Sequence, residues 1–80
     1  MSSLEWESQR VVLAVLRSGS LSGAARLLGI AQATARRRLE NLEGRLGLSL
    51  FTRTPGGLTP TPSARGLIQH VEAMAMAAQA

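Results

Sequence analysis

The stretch that decides the fold covers residues 19–46 and reads GSLSGAARLLGIAQATARRRLENLEGRL. It holds two helix-forming segments joined by the dipeptide Gly29-Ile30. The small side chain of Ala25 lets two helices approach each other, the glycine makes the turn, and Ile30 fills the angle between the helices. This combination predicts a helix-turn-helix unit.

Capping residues and apolar spacing set the boundaries of the two helices. The first covers residues 22–28, with Ser20 or Ser22 as its N-cap and Gly29 as its stop. Serine oxygens accept the free amides at a helix start, and glycine readily adopts the left-handed conformation that ends a helix. The second helix starts after Ile30 and ends near residue 46. Its apolar positions recur at helical spacing and are predicted to face the core: Ala35, Leu39, Leu42 and Leu46.

Segments on both sides extend this unit. An apolar repeat predicts a helix over residues 4–18, and Gly19 ends it. Downstream, residues 50–53 and 58–61 are strand-prone and enclose the turn sequence Thr54-Pro55-Gly56-Gly57. A proline followed by glycines between two such segments predicts a β-hairpin.

Prolines mark the end of the hairpin. Pro60 and Pro62 restrict its second strand to a sheet edge, and Pro62-Ser63 opens a last helix that runs to the C-terminus. This helix carries a seam suited to packing against another helix: Leu67, Val71, Met74 and Ala78. The expected fold is mainly α, a winged helix-turn-helix with three helices, a short β-hairpin wing and a C-terminal linker helix. Residues 1–62 form the domain, and residues 63–80 start the linker and dimerisation helix.

Composition limits the chemistry of the chain. Its 80 residues correspond to one domain, and they include no cysteine, aspartate, tyrosine or lysine. One histidine and a few glutamates provide neither a metal cage nor a Ser-His-Asp triad, and the lack of cysteine excludes disulfides and thiolate ligands. We therefore expect that the protein is not an enzyme and that it needs no cofactor or metal.

The positive charge is concentrated in one part of the sequence. All basic residues are arginines, and residues 26–53 hold six of the nine against two glutamates, which accounts for the whole net charge of +4. The segments before and after this stretch are neutral. A localised excess of this kind is typical of a surface that binds a polyanion, although a solvated arginine-rich surface would have the same composition.

Three stretches carry a resemblance to a known family. They are GSLSGAA at residues 19–25, QATARRRLENLE at 32–43 and LGLSLFTRT at 46–54. Together with the proline-rich end of the hairpin, they resemble the N-terminal winged helix-turn-helix domain of LysR-type transcriptional regulators over about residues 10–70. The resemblance implies a bacterial DNA-binding regulator whose recognition helix is the second stretch and whose Leu-Phe-x-Arg segment leads into the wing.

The resemblance also implies a linker helix that mediates dimerisation and leads to a periplasmic-binding-protein-like effector domain. That domain is absent from the sequence, so the chain is either an excised domain or a natural short protein. An effector ligand is expected only if a further C-terminal domain exists. The expected location is the bacterial cytoplasm, on the nucleoid when the protein is bound to DNA, because the acidic start is not a secretory signal and no apolar run is long enough to span a membrane.

The chain departs from the family pattern at a few positions. Ala31, Ala33 and Arg36 stand where the family usually has serine, proline and serine. The alanine at position 31 removes the expected hydroxyl cap, which leaves Gln32 or the backbone in that role. Val12 stands where the family usually has an aromatic residue, so the core is expected to be thinner. The two aromatic residues of the chain, Trp6 and Phe51, are predicted to anchor that core.

Helical geometry predicts which side chains of the third helix face outward. At about 100° per residue, Ala33 and Arg37 lie opposite the apolar stripe, with Thr34 beside them. Arg36 and Arg38 then project to either side of Arg37, toward the phosphate walls of a DNA groove. We assign base reading to Gln32, Ala33, Thr34 and Arg37. The alternative for the three consecutive arginines is surface pairing with Glu40 and Glu43.

Backbone contacts are expected from two other elements. Ser20, Ser22 and Arg26 lie at or in the second helix, which should cross the DNA backbone. For the two serines, simple helix capping is an equal alternative. Arg53 and Thr54 at the base of the hairpin are the candidate wing contacts, with an ordinary edge-strand arginine as the alternative.

Double-stranded DNA is the expected partner, together with a second copy of the chain bound through the C-terminal helix. Two alternatives use the same basic face, namely a winged-helix module that binds a protein and a winged-helix RNA binder. The scarcity of aromatic residues disfavours single-stranded RNA, which is commonly stacked on such rings. No membrane partner is expected.

Overall fold

The computed structural model describes residues 3–66 together with residues 69, 73 and 76. Three helices are followed by a two-stranded antiparallel hairpin, which confirms the predicted winged helix-turn-helix. The elements are α1 (Ser3–Ser18), α2 (Leu21–Leu28), α3 (Gln32–Leu46), β1 (Phe51–Thr54), β2 (Gly57–Pro60) and a 3₁₀ turn (Pro62–Ala64). Beyond this turn, the described residues Arg65, Gly66, Gln69, Ala73 and Met76 are helical.

Helix α1 provides the centre of the core. Val11, Val12 and Val15 are almost completely buried on one face of it. Three alanines of the other two helices pack in the same core and allow the helices to approach closely: Ala24, Ala25 and Ala35. Leu39 of α3 and two large residues after α3, Leu50 and Phe51, complete the core. Burial of Phe51 confirms its predicted role as an anchor.

Two residues predicted for the core lie further out. Leu46 is 39% exposed, because the last turn of α3 extends past the residues that α1 covers. Trp6 is only half-buried and lines a groove between α1 and α2 together with Leu27 and Leu28. Helical periodicity assigns a face to each of these residues, but it does not show how far the neighbouring element reaches.

The caps of α2 follow the sequence closely. The backbone amide of Gly23 donates to Ser20 Oγ at 3.0 Å, so Ser20 is the N-cap and α2 begins one residue earlier than the predicted residue 22. Gly29 ends the helix in the left-handed conformation at φ 68°, and the amide of Ile30 donates to the Ala25 carbonyl at 3.0 Å. The tight turn predicted from Gly29-Ile30 is therefore present.

Helix α3 begins without a side-chain cap, as the alanine at position 31 predicts. Ala31 has extended backbone angles of φ −67° and ψ 147°, and its carbonyl accepts the amides of Thr34 and Ala35. Its methyl side chain cannot accept a hydrogen bond. The first turn of α3 therefore lacks an interaction that serine would supply.

We expect Ala31→Ser to raise the free energy of unfolding by about 1 kcal/mol, because the hydroxyl would accept a free amide of the first turn. In a domain of this size that corresponds to an increase in melting temperature of roughly 4–8 °C. Thermal unfolding followed by circular dichroism measures the effect. Ala33→Ser is the matched control, since it adds the same hydroxyl two positions inside the helix, where it does not cap. Equal changes in the two variants would contradict the capping argument.

Both strands of the hairpin lie one residue closer to the turn than predicted, and the pairing register is the predicted one. Thr54 pairs with Gly57 and Phe51 pairs with Pro60, so only Pro55-Gly56 remain in the turn. Leu50 lies outside the strand, where its amide donates to Glu43 Oε2 at 2.7 Å and its carbonyl accepts the amide of Thr61 at 3.0 Å. The first contact attaches the base of the hairpin to α3, and the second continues the strand pairing by one residue pair.

Within the described residues, no single helix is long and apolar enough to cross a membrane. Helices α1 and α2 reach that length and composition only when they are taken together, and the angle between them is 117°. The apolar valines of this pair are the core residues described above. The same part of the chain contains no group of three or more side chains suited to holding a metal ion.

Candidate nucleic-acid interface

The face of α3 that points away from the core carries the side chains predicted to read bases. Gln32, Ala33 and Arg37 are exposed, and Thr34 is half-buried. On the opposite face Ala35 is completely buried, which fixes the rotation of the helix about its axis. The structure therefore exposes these four side chains along the N-terminal two turns of α3.

A cleft of about 250 Å³ joins α2, α3 and the hairpin. Ser20 and Ser22 from the start of α2 form one wall, and their hydroxyl oxygens are 3.3 Å apart. Gln32 and Arg36, one turn apart on α3, form a second wall, and the hairpin forms the third. Six residues that were predicted from the sequence as DNA contacts line this cleft: Ser20, Ser22, Gln32, Arg36, Arg53 and Thr54.

A second cavity of about 410 Å³ continues from the same serines toward α1. Arg26, a predicted phosphate contact, lines it together with Ser20 and Ser22. Arg17 lines it as well, and the sequence reasoning did not assign any role to this residue. Its position in the last turn of α1, just before the Gly19 break, was the signal that could have identified it. The two cavities form a surface that carries arginines and serines on both sides of the α2 N-terminus.

The three consecutive arginines of α3 have different surroundings. Arg36 lines the cleft beside the hairpin, whereas Arg38 lies on the other flank, where its guanidinium is 3.3 Å from a Glu7 carboxylate oxygen on α1. The Arg38 side chain is 23% exposed. Arg37, between them, is exposed. In the described part of the chain, Arg36 and Arg37 form no ion pair with Glu40 or Glu43, the alternative considered for them.

Two of the carboxylates near α3 are engaged in contacts that stabilise the fold. Glu7 faces Arg38, and Glu43 accepts the amide of the buried Leu50. Neither glutamate lines the cleft. Among the described residues, the cleft is lined by two arginines and by no acidic residue. Its electrostatic character is therefore positive, as a polyanion-binding surface requires.

The predicted dimerisation seam, Leu67, Val71, Met74 and Ala78, lies outside the described residues.

Comparison with known proteins identifies the family. A family model described as bacterial regulatory helix-turn-helix protein, lysR family, matches residues 6–65. The Mau operon transcriptional activator of Paracoccus denitrificans is 42% identical over 77 residues, which cover 96% of this chain and 27% of that protein. The small neutral protease regulatory protein of Streptomyces coelicolor is 43% identical over 65 residues, which cover 81% of this chain and 20% of that protein.

Solved structures agree with this match. The crystal structure of the BenM_DBD/benA site 1 DNA complex superposes with a TM-score of 0.85 at 28% identity, covering 92% of this chain and 86% of that one. Full-length BenM superposes with a TM-score of 0.83 at 28% identity, and the match covers 92% of this chain but only 24% of that one. The chain thus spans about a quarter of the length of the Paracoccus relative, and it belongs to the LysR family of bacterial regulatory helix-turn-helix proteins.

Proposed function

We propose that the chain is the DNA-binding part of a bacterial LysR-type transcriptional regulator and that it binds double-stranded DNA sequence-specifically. The observation that carries the proposal is the cleft that unites the start of α2, the start of α3 and the hairpin on one positively charged surface. In this arrangement α3 enters the major groove while α2 and the hairpin contact the backbone on either side. The protein acts in the cytoplasm, on the nucleoid when it is bound to DNA.

Different side chains carry specificity and affinity. Arg37 is the long exposed side chain of α3 that reaches base edges, where its guanidinium can donate two hydrogen bonds to guanine. Gln32, Ala33 and Thr34 form the rest of the base-reading set. The phosphate contacts are Ser20, Ser22, Arg26 and Arg36, and the wing contacts are Arg53 and Thr54. Arg17 joins the phosphate contacts because it lines the same cavity as Arg26.

The role of Arg38 has two interpretations, because this residue already forms an ion pair within the protein. The sequence places it as a phosphate contact, and we retain that as a proposal. Its ion pair with Glu7 supports an alternative, in which Arg38 joins α3 to α1 and fixes the orientation of the recognition helix. A phosphate would have to compete with a carboxylate that is already in place.

The experiment that tests the function is a titration of the protein with three ligands over a salt series. The ligands are a duplex selected from random sequences by binding, an unrelated duplex, and single-stranded RNA. We expect the tightest binding to the selected duplex and a steep salt dependence for both duplexes, because neutralised phosphates release counterions. Equal or tighter binding to RNA would favour the RNA-binding alternative. Absence of binding to any nucleic acid would favour a protein-interaction module.

Single arginine substitutions test the phosphate contacts. We expect Arg36→Ala and Arg53→Ala each to flatten the slope of log affinity against log salt by about 0.9, with a similar loss of affinity for all sequences. Arg10→Ala is the matched control, since Arg10 is an exposed arginine of α1 that lines neither the cleft nor the cavity beside Ser20 and Ser22. A slope in either test variant equal to that of the control would contradict the assignment. For Arg38→Ala, an unchanged slope would assign the residue to the Glu7 contact instead.

We further propose a homodimer formed through Leu67, Val71, Met74 and Ala78. A helical seam of this length is short for a stable coiled coil, so the dimer should be weak in solution and tightened by DNA. Its half-sites should lie about one helical turn (~34 Å) apart, or a multiple of it. Analytical ultracentrifugation with and without the selected duplex measures the assembly. A tight dimer that is unaffected by Val71→Glu and Met74→Glu would show that another surface is used.

A further inference from the structure

The second strand of the hairpin is attached to the loop between α1 and α2. The Leu58 backbone amide donates to the Gly19 carbonyl oxygen at 2.8 Å. Leu58 lies directly opposite Arg53 in the hairpin register. The contact therefore joins the hairpin, at the level of Arg53, to Gly19. Gly19 directly precedes Ser20, the N-cap of α2.

Gly57 makes this attachment possible because it has no side chain. Its φ of 135° lies in a region that other residues rarely adopt. A Cβ at this position would overlap the Gly19 carbonyl oxygen and would lie 3.5 Å from Ser20 Cβ. The backbone of the hairpin can thus approach the α1–α2 loop this closely only with glycine at position 57.

The hairpin has a second attachment at its base. The amide of Leu50, just before β1, donates to Glu43 Oε2 on α3 at 2.7 Å. The Thr61 amide, just after β2, donates to the Leu50 carbonyl at 3.0 Å, so the second strand is held at the same point. A two-stranded hairpin is at best marginally stable alone, so its position depends on such attachments. Arg53 lies at the level of the Leu58–Gly19 attachment, and it shares the cleft with Ser20 and Ser22.

From this geometry we infer that Gly57 is a positioning residue for DNA binding. By allowing the contact with Gly19, it holds Arg53 at a set distance from the start of α2, so that the wing and the phosphate-binding end of α2 contact DNA as one unit. This inference rests on the proposed function. It assigns to Gly57 a role that depends on its lack of a side chain and not on a side-chain contact with DNA.

The test is a double-mutant cycle between Gly57→Ala and Arg53→Ala in the full chain. In the wild-type background, Arg53→Ala should flatten the salt slope by about 0.9. In the Gly57→Ala background, which displaces the wing, Arg53→Ala should change neither affinity nor slope further. Arg37→Ala should have its full effect on base preference in both backgrounds, since α3 does not depend on the attachment.

Gly56→Ala is the matched control, one residue earlier in the same turn. A Cβ at Gly56 would meet no atom within 4 Å, and its φ is not positive. Arg53→Ala should therefore flatten the slope in this background as it does in the wild type. If it has the same effect in the Gly57→Ala background, the wing does not depend on Gly57 and the inference is wrong.

A second variant covers the case in which Gly57→Ala fails to fold. Leu58→Pro removes the donated amide without adding a Cβ at position 57, although it also replaces a side chain that packs against the core. Strand β2 already contains a proline at Pro60. The same cycle should again show no further effect of Arg53→Ala, and an undiminished effect would overturn the inference. Failure of the proposed function has a different signature, namely a wild-type protein that does not bind the selected duplex at all.

Discussion

Replacing Arg37 with alanine is expected to lower affinity for the preferred duplex by roughly 5- to 150-fold, the range that corresponds to loss of one bidentate contact to a base. The same substitution should relax the preference at one base pair in each half-site. Binding to unrelated duplex should change far less, because phosphate contacts supply most of that affinity. The reason lies in the orientation of α3: Ala35 is buried on the inner face, and Arg37 is exposed on the outer one.

Binding to the preferred duplex and to all single-base variants of it measures this effect. Arg37→Lys should restore only part of the specificity, because an ammonium group lacks the planar pair of donors that matches two acceptors on guanine. Arg36→Ala is the control on the same helix, since it should lower the affinity for all duplex sequences about equally. If Arg37→Ala leaves every base preference unchanged, then Arg37 contacts a phosphate and α3 is rotated differently in the groove.

Leu50→Ala is expected to have the largest effect on stability. Leu50 is only 1% exposed, and it packs in the core at the junction between α3 and the hairpin. Removing a buried leucine side chain costs about 2–5 kcal/mol, whereas a domain of 80 residues typically has a total stability of about 4–12 kcal/mol. The variant should therefore lose much of its stability or be unfolded at room temperature.

Urea denaturation followed by circular dichroism measures this loss. Leu27→Ala is the control, because Leu27 is 61% exposed on α2 and its truncation should change stability by no more than about 0.5 kcal/mol. Similar unfolding midpoints for the two variants would show that Leu50 is not part of the core. DNA binding at a temperature where Leu50→Ala is still folded should be close to wild type, since no contact of the proposed interface is removed.

Much of the candidate site was predictable from the sequence because its parts are local. The charge excess, the exposed face of α3 and a serine cap at the start of α2 each depend on residues within a few turns of one another. The resemblance to the LysR family supplied the relation between these parts and the hairpin. Arg17 was missed because its position in the last turn of α1 does not by itself show that this turn ends beside the serines of α2.

The sequence by itself determined the helices, their caps and their order, because capping hydrogen bonds and apolar periodicity act between near neighbours in the chain. It also determined where the positive charge lies. Only the tertiary structure decided that Arg38 faces Glu7 while Arg36 faces the wing, that Leu46 is exposed, and that Gly57 lies against Gly19. Each of these depends on how two separate elements approach each other. That approach is set by the packing of the whole core, in which the rotation and reach of every helix depend on its partners.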